Sequence, residues 1–464
     1  MRTRAALAAL ALVTPVARAE PPTPALPADP LLATLVREAL EGRPELQQAR
    51  SSAKAERERV PQAGALPDPT LSLGIQNDGF QAIQVGKMET SFYQAMVTQP
   101  LFWPGKRGLR TDVAARQVDL AEAQVARVAL TVEADVRRAY LELLLVRDRL
   151  GLLARQEALW EQSEGLAKAR YQVGAGPQSD LLRAQLERTR LRQQGLALAA
   201  QERTRVQALN RLRSRPLHEP IETTWHLPDL DAPALPGAAE ALADAEARSP
   251  ELLQARLSVQ QAGKRVELAN RERYPDMAVG AGVMYRGSLD PMWTVNVSVG
   301  LPVWSGRKQG RAVAESEARR EAEGEGAEAI RQLLRLRTEE RLALLDAVLH
   351  TNQLYRGGLL VQSEAAAEST MNQYRVGRVT FASVLEALNG LVADRASFLE
   401  SVAQAHRIAI AQWELSLDPP PGAAPAMGAG PVPGARAMGG GAAKAGGGSG
   451  GAESAAPAAA GGGM

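Results

Sequence analysis

Two long stretches without proline constrain this sequence more than any other feature. No proline occurs between Pro104 and Pro177 or between Pro302 and Pro419, and both stretches are rich in Ala, Leu, Arg, Glu and Gln, which favour helix. We predict one helix at residues 107–169 and another at residues 307–373. A helix of about 60 residues is roughly 90 Å long. Because such a helix is longer than the diameter of a compact domain, we expect it to pack side by side with other helices, as in a coiled coil or a helical barrel.

The middle of the chain is an internal duplication. The sequence RPEL at residues 43–46 returns as SPEL at residues 249–252, and YQVG at residues 171–174 returns as YRVG at residues 374–377. Shorter helices are predicted before and after the strand regions of each copy, at residues 30–60, 180–212, 238–273 and 381–417. We therefore predict two repeats with the order helix, strand, strand, helix, at residues 20–215 and 237–417, joined by a proline-rich linker at residues 216–236.

The strand regions, residues 69–102 and 276–303, have a different period. From Trp293 to Leu301 apolar and polar residues alternate, which is typical of a strand with one apolar face. Each repeat offers two such strands of about ten residues, the length that crosses a bilayer when tilted. Half of the aromatic residues fall in or beside these regions, as expected of aromatic girdles at a membrane interface.

The number of strands limits how they could sit in a membrane. Four strands are too few to close a transmembrane barrel, which needs about eight, and an open sheet edge is not tolerated in lipid. Strands that face lipid would therefore have to be pooled from several chains. The alternative is a four-stranded sheet lying on the helices in water, because half-buried antiparallel strands show the same alternation.

The two ends of the chain differ from the repeats. Residues 1–19 combine a basic start, an apolar stretch and a small-x-small ending, the pattern of a secretory signal peptide cut after Ala19. Residues 418–464 are rich in Gly and Ala and have no periodic apolar face, which predicts a disordered tail. The 54 basic and 52 acidic residues nearly cancel, so the chain lacks the one-signed charge of a nucleic-acid binder.

The sequence contains no recognisable catalytic chemistry. Cysteine is absent, and the histidines show neither the HExxH spacing of zinc enzymes nor a neighbouring acidic cluster. No phosphate-binding loop and no Gly-x-Ser-x-Gly nucleophile turn occur. We therefore expect no enzymatic activity, no cofactor and no catalytic or metal site.

The signal peptide, the duplicated helix-strand-strand-helix plan and the paired Tyr-x-Val-Gly motifs together resemble the outer-membrane efflux family typified by TolC. The resemblance implies an α+β membrane protein, a homotrimer whose chains each lend four strands to a shared twelve-stranded transmembrane β-barrel in outer-membrane lipid. The long helices would form a hollow barrel across the periplasm. The implied function is a passive exit duct of a tripartite efflux pump, with a periplasmic adaptor protein and an inner-membrane transporter as partners.

The same resemblance assigns site residues. In the family, the turns at the periplasmic end of the helices dock the adaptor, and residues just beyond the second turn line the narrowest part of the tunnel. We expect Glu386 and Asp180 to line that constriction, with Arg183 pairing with Glu386 across neighbouring helices in the closed state. The predicted docking residues are Tyr171, Val173, Gly174, Tyr374, Val376 and Gly377, and the predicted constriction residues are Asp180, Arg183, Ser383 and Glu386.

Two other functions share some of these features. A periplasmic or secreted structural coiled-coil protein without a pore would have the long helices, but it would not need amphipathic strands in both repeats. A periplasmic adaptor also carries a long helical hairpin, but it should have one hairpin inserted in a lipoyl-like β-domain, whereas this chain repeats the hairpin plan twice.

Overall fold

The computed structural model describes residues 29–420. The predicted signal peptide, and all of the predicted tail beyond residue 420, lie outside the described residues. The helices of the first half are α1 (Pro30–Gly42), α2 (Pro44–Gly64), α3 (Lys106–Gln172) and α4 (Gln178–Leu212). Those of the second half are α5 (Ala238–Arg248), α6 (Pro250–Arg271), α7 (Gln309–Leu354), α8 (Leu360–Arg375) and α9 (Phe381–Glu414).

Four strands lie between the helices. They are β1 (Thr70–Gln76), β2 (Phe92–Leu101), β3 (Met277–Arg286) and β4 (Leu289–Val299). Each half thus has two helices, two strands and a long helical hairpin, in agreement with the duplication in the sequence. Within residues 29–420, no helix is both long and apolar enough to cross a membrane.

The helices that precede the strands are each broken once, which the sequence prediction missed. Single helices were expected at residues 30–60 and 238–273, but the chain is extended at Arg43, with ψ 122°, and bends at Ser249, with ψ 119°. A proline follows each of these residues, and proline disfavours the helical conformation of the residue before it. The prolines then begin the next helix, α2 or α6, where the missing N–H is not needed.

The two long helices differ from each other. Helix α3 runs for 67 residues, which corresponds to roughly 100 Å. Its counterpart was predicted as one helix at residues 307–373, but it begins at Gln309 and is interrupted by a π-helical turn at Tyr355–Leu359. That turn contains Gly357 and Gly358, which have low helix propensity, and a π turn accommodates the local change of pitch without ending the helix.

The strands form one antiparallel sheet in the order β1-β2-β3-β4. Residues Leu73, Ala95, Val283 and Trp293 lie directly opposite one another across the four strands, which fixes the register. Strand β1 has seven residues rather than the expected ten. Its chain continues to β2 through a loop at residues 77–91, and β3 turns into β4 at Gly287, whose φ of +65° favours glycine.

The main hydrophobic core joins the first half to the second. Helix α3 contributes Tyr140 and the run Leu143–Leu145, which pack with residues of α1 and α9. The proline-rich segment at residues 216–236 belongs to this core, because Ile221, Leu227 and Leu230 are buried in it. This segment is therefore packed against the helices and is not a free spacer.

Candidate functional site

The sheet has one continuous apolar face. Because directly paired residues share a face, the register assigns this face to Leu71, Leu73 and Ile75 of β1 and to the apolar residues opposite them. These side chains are exposed although they are large: Leu73 is 75% and Trp293 is 77% exposed. The other exposed members are Tyr93, Val97, Val279, Val283, Tyr285, Val295, Val297 and Val299. A patch of this size marks an interaction with protein or with lipid.

The opposite face of the sheet is mostly polar. It carries Ser72, Gln94, Thr98, Thr294, Asn296 and Ser298. Thr98, Thr294, Asn296 and Ser298 lie opposite glycine or alanine of β3, whereas Ser72 lies opposite Met96 and Gln94 lies opposite Met284. Strands β1 and β4 form the two edges of the sheet within the described residues, so each has one side without a strand partner in this chain. A long, apolar edge strand of this kind is a template for pairing with another chain.

At the other end of the long helices, two turns have the same geometry. Gly174 has φ +73° and Gly377 has φ +77°, the left-handed conformation that glycine adopts without strain. In the first turn, the N–H of Ala175 donates to the C=O of Arg170 at 2.8 Å, and in the second the N–H of Arg378 donates to the C=O of Gln373 at 2.9 Å. Both turns are Schellman motifs, which end a helix and satisfy its last carbonyls. We call these two turns the helical tip.

The predicted docking residues at the helical tip divide into exposed and buried side chains. Tyr171 is 45%, Val173 is 77% and Val376 is 67% exposed, so each turn presents an apolar side chain to solvent. Tyr374 differs from the expectation, because it is only 2% exposed. Its ring cannot form part of an outer contact surface in this arrangement.

Tyr374 instead lies where the two helical hairpins meet. Its ring packs on Phe381 of α9 with a centroid distance of 5.4 Å, and Phe381 in turn contacts Trp160 of α3 at 6.4 Å. The hydroxyl of Tyr374 donates to Oδ2 of Asp180 at 3.0 Å. Burial, and secondly the hydrogen bond to Asp180, raise the pKa of Tyr374 to about 12. The neutral phenol therefore links the second hairpin to the first.

Arg170 is a residue of this site that the sequence analysis missed. From the last turn of α3, its Nη2 donates to the C=O of Ala175 at 2.9 Å, and its Nη1 donates to the C=O of Tyr374. Its guanidinium also lies 4.7 Å from the ring centroid of Tyr374. Arg170 thus bonds to both turns at once. A basic residue in the last turn of a helix interacts favourably with the helix dipole. Its position in the last turn of α3 was the feature of the sequence that could have pointed to Arg170.

The predicted constriction residues are only partly brought together. Asp180 is half-buried and accepts the hydrogen bond of Tyr374, so its carboxylate is engaged within the chain. Ser383 lies 3.3 Å from the hydroxyl of Thr380, at the start of α9. Arg183 and Glu386 are exposed, and within residues 29–420 no ion pair joins them. Their predicted pairing across neighbouring helices stays a prediction.

Other titratable clusters in the described part of the chain have structural partners. His226 of the proline-rich segment lies 2.6 Å from Oδ1 of Asp148, whose Oδ2 accepts the N–H of Leu227 at 2.7 Å. Glu414 is buried and pairs with Arg127 and Arg138 of α3. No group of three or more His, Asp or Glu within residues 29–420 is arranged to hold a metal ion.

Comparison with known proteins assigns both halves of the chain to one family model. The model of the outer membrane efflux protein family matches residues 35–214 and 241–411. The cobalt-zinc-cadmium resistance protein CzcC of Cupriavidus metallidurans is 22% identical over 353 residues, which are 75% of this chain and 81% of that protein. The two matched ranges fall one in each half of the duplicated fold.

Solved structures with the same fold include outer-membrane channels. CusC, solved in a study of folding and transmembrane channel formation, matches with a TM-score of 0.71 and 17% identity, covering 83% of this chain and 92% of that chain. The open state of the MtrE outer membrane channel of Neisseria gonorrhoeae matches with a TM-score of 0.68 and 16% identity, covering 83% and 89%. At these identities the likeness establishes the fold.

Proposed function

The chain belongs to the outer membrane efflux protein family, and on that premise we propose that it is the passive exit duct of a tripartite export system. Its place is the outer membrane. Family membership decides against the periplasmic adaptor and against a structural coiled coil without a pore, since both of those lack a membrane-embedded sheet. The energy for export would come from an inner-membrane transporter, because a duct of this kind needs no nucleotide site.

The observation that carries this proposal is the four-stranded sheet with an exposed apolar face and two open edges. An apolar face suits lipid, but an open edge in lipid would leave N–H and C=O groups without partners. Both conditions are met if β4 of one copy pairs with β1 of the next. Three copies would then supply twelve strands to a closed cylinder, with the polar face turned inward.

The long helices fit the same assembly. Helix α3 extends roughly 100 Å from the sheet to the helical tip, which is enough to carry a tunnel deep into the periplasm. We propose that the helical tip is the periplasmic end and that its exposed side chains, Val173 and Val376, dock an adaptor protein. Glu386 and Arg183 would face the tunnel near this end, with Tyr374 and Asp180 holding the hairpins together behind them.

Disulfide trapping tests the pairing of sheet edges between copies. The chain has no cysteine, so any disulfide that forms must join the introduced cysteines. Ser72→Cys in β1 would be combined in turn with Thr294→Cys, Asn296→Cys or Ser298→Cys in β4, because these residues share the polar face. Within one chain, β1 and β4 are three strand spacings apart, roughly 14 Å, whereas a disulfide needs Cα atoms within about 7 Å.

The expected result is that at least one pair forms covalent dimers and trimers when membranes are oxidised. Ser72→Cys alone is the matched control and should stay monomeric on a denaturing gel. If no pair yields a covalent trimer and the detergent-purified protein has the mass of a monomer, the shared cylinder and the duct are both refuted.

The docking proposal has its own test. Val173→Asp and Val376→Asp place a charge on each turn without touching the contacts of Tyr374, so we expect the trimer to form but export to be lost. The control is Leu196→Asp, because Leu196 is equally exposed, at 75%, but lies further along α4. Export at the wild-type level in both tip variants would show that the adaptor does not bind these turns.

A further inference from the structure

The strands join the helices at one end of the sheet. The register places Leu101 of β2 opposite Met277 of β3, and Met277 opposite Val299 of β4, so these strand termini lie side by side. The four segments that connect strands to helices at this end are residues 65–69, 102–105, 272–276 and 300–308. We call this region the helix end of the sheet.

Contacts between these segments hold the helix end together. The ring of Trp103 stacks on that of Tyr274 with a centroid distance of 5.5 Å. Lys106 is buried, and its Nζ donates to Oδ1 of Asp276 at 2.9 Å. The C=O of Asp276 accepts the N–H of Gly300 at 3.0 Å. The exposed side chains of the helix end therefore stand on a base with defined internal contacts.

Positive charge is concentrated at the helix end. Residues 65–69, 102–110, 271–276 and 300–308 together contain seven basic and three acidic residues. The loop at the opposite end of the sheet, residues 77–91, contains one basic and two acidic residues. The excess of positive charge thus lies at the end from which the long helices extend.

Three of these basic residues have no acidic partner in the described part of the chain. Arg273, Arg307 and Lys308 are exposed, and no carboxylate within residues 29–420 lies at ion-pair distance from them. Asp276, in the same segment as Arg273, is already engaged by Lys106 at 2.9 Å. The three positive charges are therefore available to an external anion.

Large apolar side chains are exposed beside these charges. Leu301 is 74%, Val303 is 76% and Trp304 is 71% exposed. The backbone N–H groups of Arg307 and Lys308 donate to the C=O of Trp304 at 3.0 and 2.9 Å, so both residues lie one turn from the indole. Tryptophan beside basic residues is typical of the level at which a membrane passes from hydrocarbon to headgroups.

The chemistry of this surface favours an anionic lipid. A cluster of Lys and Arg beside a membrane attracts anionic headgroups, whereas a zwitterionic headgroup has no net charge to be attracted. A guanidinium can also bind two oxygens of one phosphate. An apolar ring next to three unpaired cations therefore matches an acyl chain that ends in an anionic phosphate.

We propose that the helix end of the sheet binds anionic phospholipids of the periplasmic leaflet. Arg273, Arg307 and Lys308 contact the headgroup phosphates, while Trp304 lies at the level where the acyl chains begin. This inference rests on the proposed function, which places the sheet in the outer membrane with the helices in the periplasm, and it adds the class of lipid that the protein selects.

Tryptophan fluorescence tests this selection. The full-length protein is reconstituted in phosphatidylcholine vesicles that contain an equal small fraction of acyl-brominated phosphatidylglycerol or of acyl-brominated phosphatidylcholine, since bromine quenches a nearby indole. We expect stronger quenching by the brominated phosphatidylglycerol. Trp304→Phe should remove this preference but keep the quenching of Trp293, which lies six residues before the end of β4 and is 77% exposed.

The test variant carries Arg273→Gln, Arg307→Gln and Lys308→Gln. Each basic residue near the membrane should favour the anionic lipid about fivefold, so the preference should fall by about tenfold or more. The matched control carries Arg155→Gln, Lys168→Gln and Arg192→Gln, which remove the same charge from exposed positions on α3 and α4, roughly 70 Å from the sheet. It should keep the wild-type preference.

Three results would overturn the inference. They are equal quenching of the wild type by the two brominated lipids, an unchanged preference in the test variant, and an equal loss of preference in the control. Should the test variant fail to insert, Arg307→Gln with Lys308→Gln is used, because both residues lie in the exposed turn after β4. Equal quenching by both lipids refutes this inference only, whereas no quenching by either lipid also refutes the duct, since the sheet would then lie outside the membrane.

Discussion

Arg170 offers the sharpest test of how the helical tip is held together. We consider Arg170→Met, which keeps the aliphatic stem but removes the guanidinium. The change deletes the hydrogen bonds to the carbonyls of Ala175 and Tyr374 and the contact with the ring of Tyr374. A hydrogen bond from a charged donor contributes about 1.5–3 kcal/mol when buried; at this half-exposed position we take about 1 kcal/mol for each.

The ring contact adds about 0.5 kcal/mol. Because the bond to Ala175 lies within the first hairpin, only the bond to Tyr374 and the ring contact join the two hairpins, which should lose about 1.5 kcal/mol of mutual attachment. Since 1.4 kcal/mol is a factor of ten, the population with separated hairpins should rise about tenfold. Amide hydrogen exchange of residues 165–185 and 370–386 measures this directly, because exchange there tracks the local opening equilibrium. In planar bilayers, the same change should increase the time spent in a conducting state.

The control is Lys168→Met, which removes the same charge from an exposed position on the same helix, two residues earlier. Because Lys168 is exposed, we expect Lys168→Met to leave amide exchange at the wild-type rate. If both variants exchange equally, the effect of Arg170 is one of net charge and the bonds across the hairpins contribute nothing. If neither variant differs from the wild type, Arg170 does not hold the hairpins together, and the apolar cluster around Trp160 and the Tyr374–Asp180 hydrogen bond are sufficient.

Three further predictions concern the turns, the phenol and the sheet. Gly174→Ala should destabilise the first hairpin by about 1 kcal/mol, because alanine is strained at the positive φ of this residue. Gly151→Ala should stabilise the hairpin by about 0.5–1 kcal/mol, because Gly151 lies within α3 and an added Cβ meets no other atom there. Amide exchange rates that change in the same direction in both variants would contradict this. Because the pKa of Tyr374 is raised to about 12, the phenol contributes its full stabilisation of the folded state below about pH 10, and this contribution is lost as pH rises through about 12. Tyr374→Phe should lack this loss of stability at alkaline pH. Identical profiles of unfolding free energy against pH in the two proteins would contradict this role of the phenol. Val295→Arg, on the apolar face, should prevent insertion at a cost of about 2–4 kcal/mol, while Thr294→Arg on the polar face should leave the yield of membrane-inserted protein unchanged, and equal yields would argue that the apolar face does not meet lipid.

Much of the fold could be predicted from periodicity because its elements are long and regular. The proline-free stretches gave the long helices, and the alternation from Trp293 to Leu301 gave β4 and its apolar face. The breaks at Arg43 and Ser249 were also visible in the sequence, since a proline follows each of them. They were missed because proline at the first position of a helix and proline inside a helix look the same when only composition is counted.

The π turn at Tyr355–Leu359 could not be read in the same way. Two glycines lower helix propensity, but whether a helix ends, kinks or changes pitch depends on what packs around it. Here the ring of Tyr355 packs against Phe398 of α9, with a centroid distance of 5.9 Å. This tertiary contact stabilises the helical conformation at the turn that contains the two glycines. Such contacts join residues distant in sequence and leave no periodic signal.

The two Tyr-x-Val-Gly motifs show why a repeated sequence does not imply a repeated environment. Both motifs make the same turn, because Gly174 and Gly377 meet the same backbone requirement within each hairpin. The tyrosines differ, since Tyr374 lies where the second hairpin meets the first and finds Asp180 as an acceptor, while Tyr171 lies on a side of the first hairpin that has no such neighbour within residues 29–420. Within residues 29–420, the second hairpin packs on one side of the first and leaves Tyr171 exposed on the first. The same four-residue motif therefore makes the same turn twice, but it places its tyrosine in two different environments.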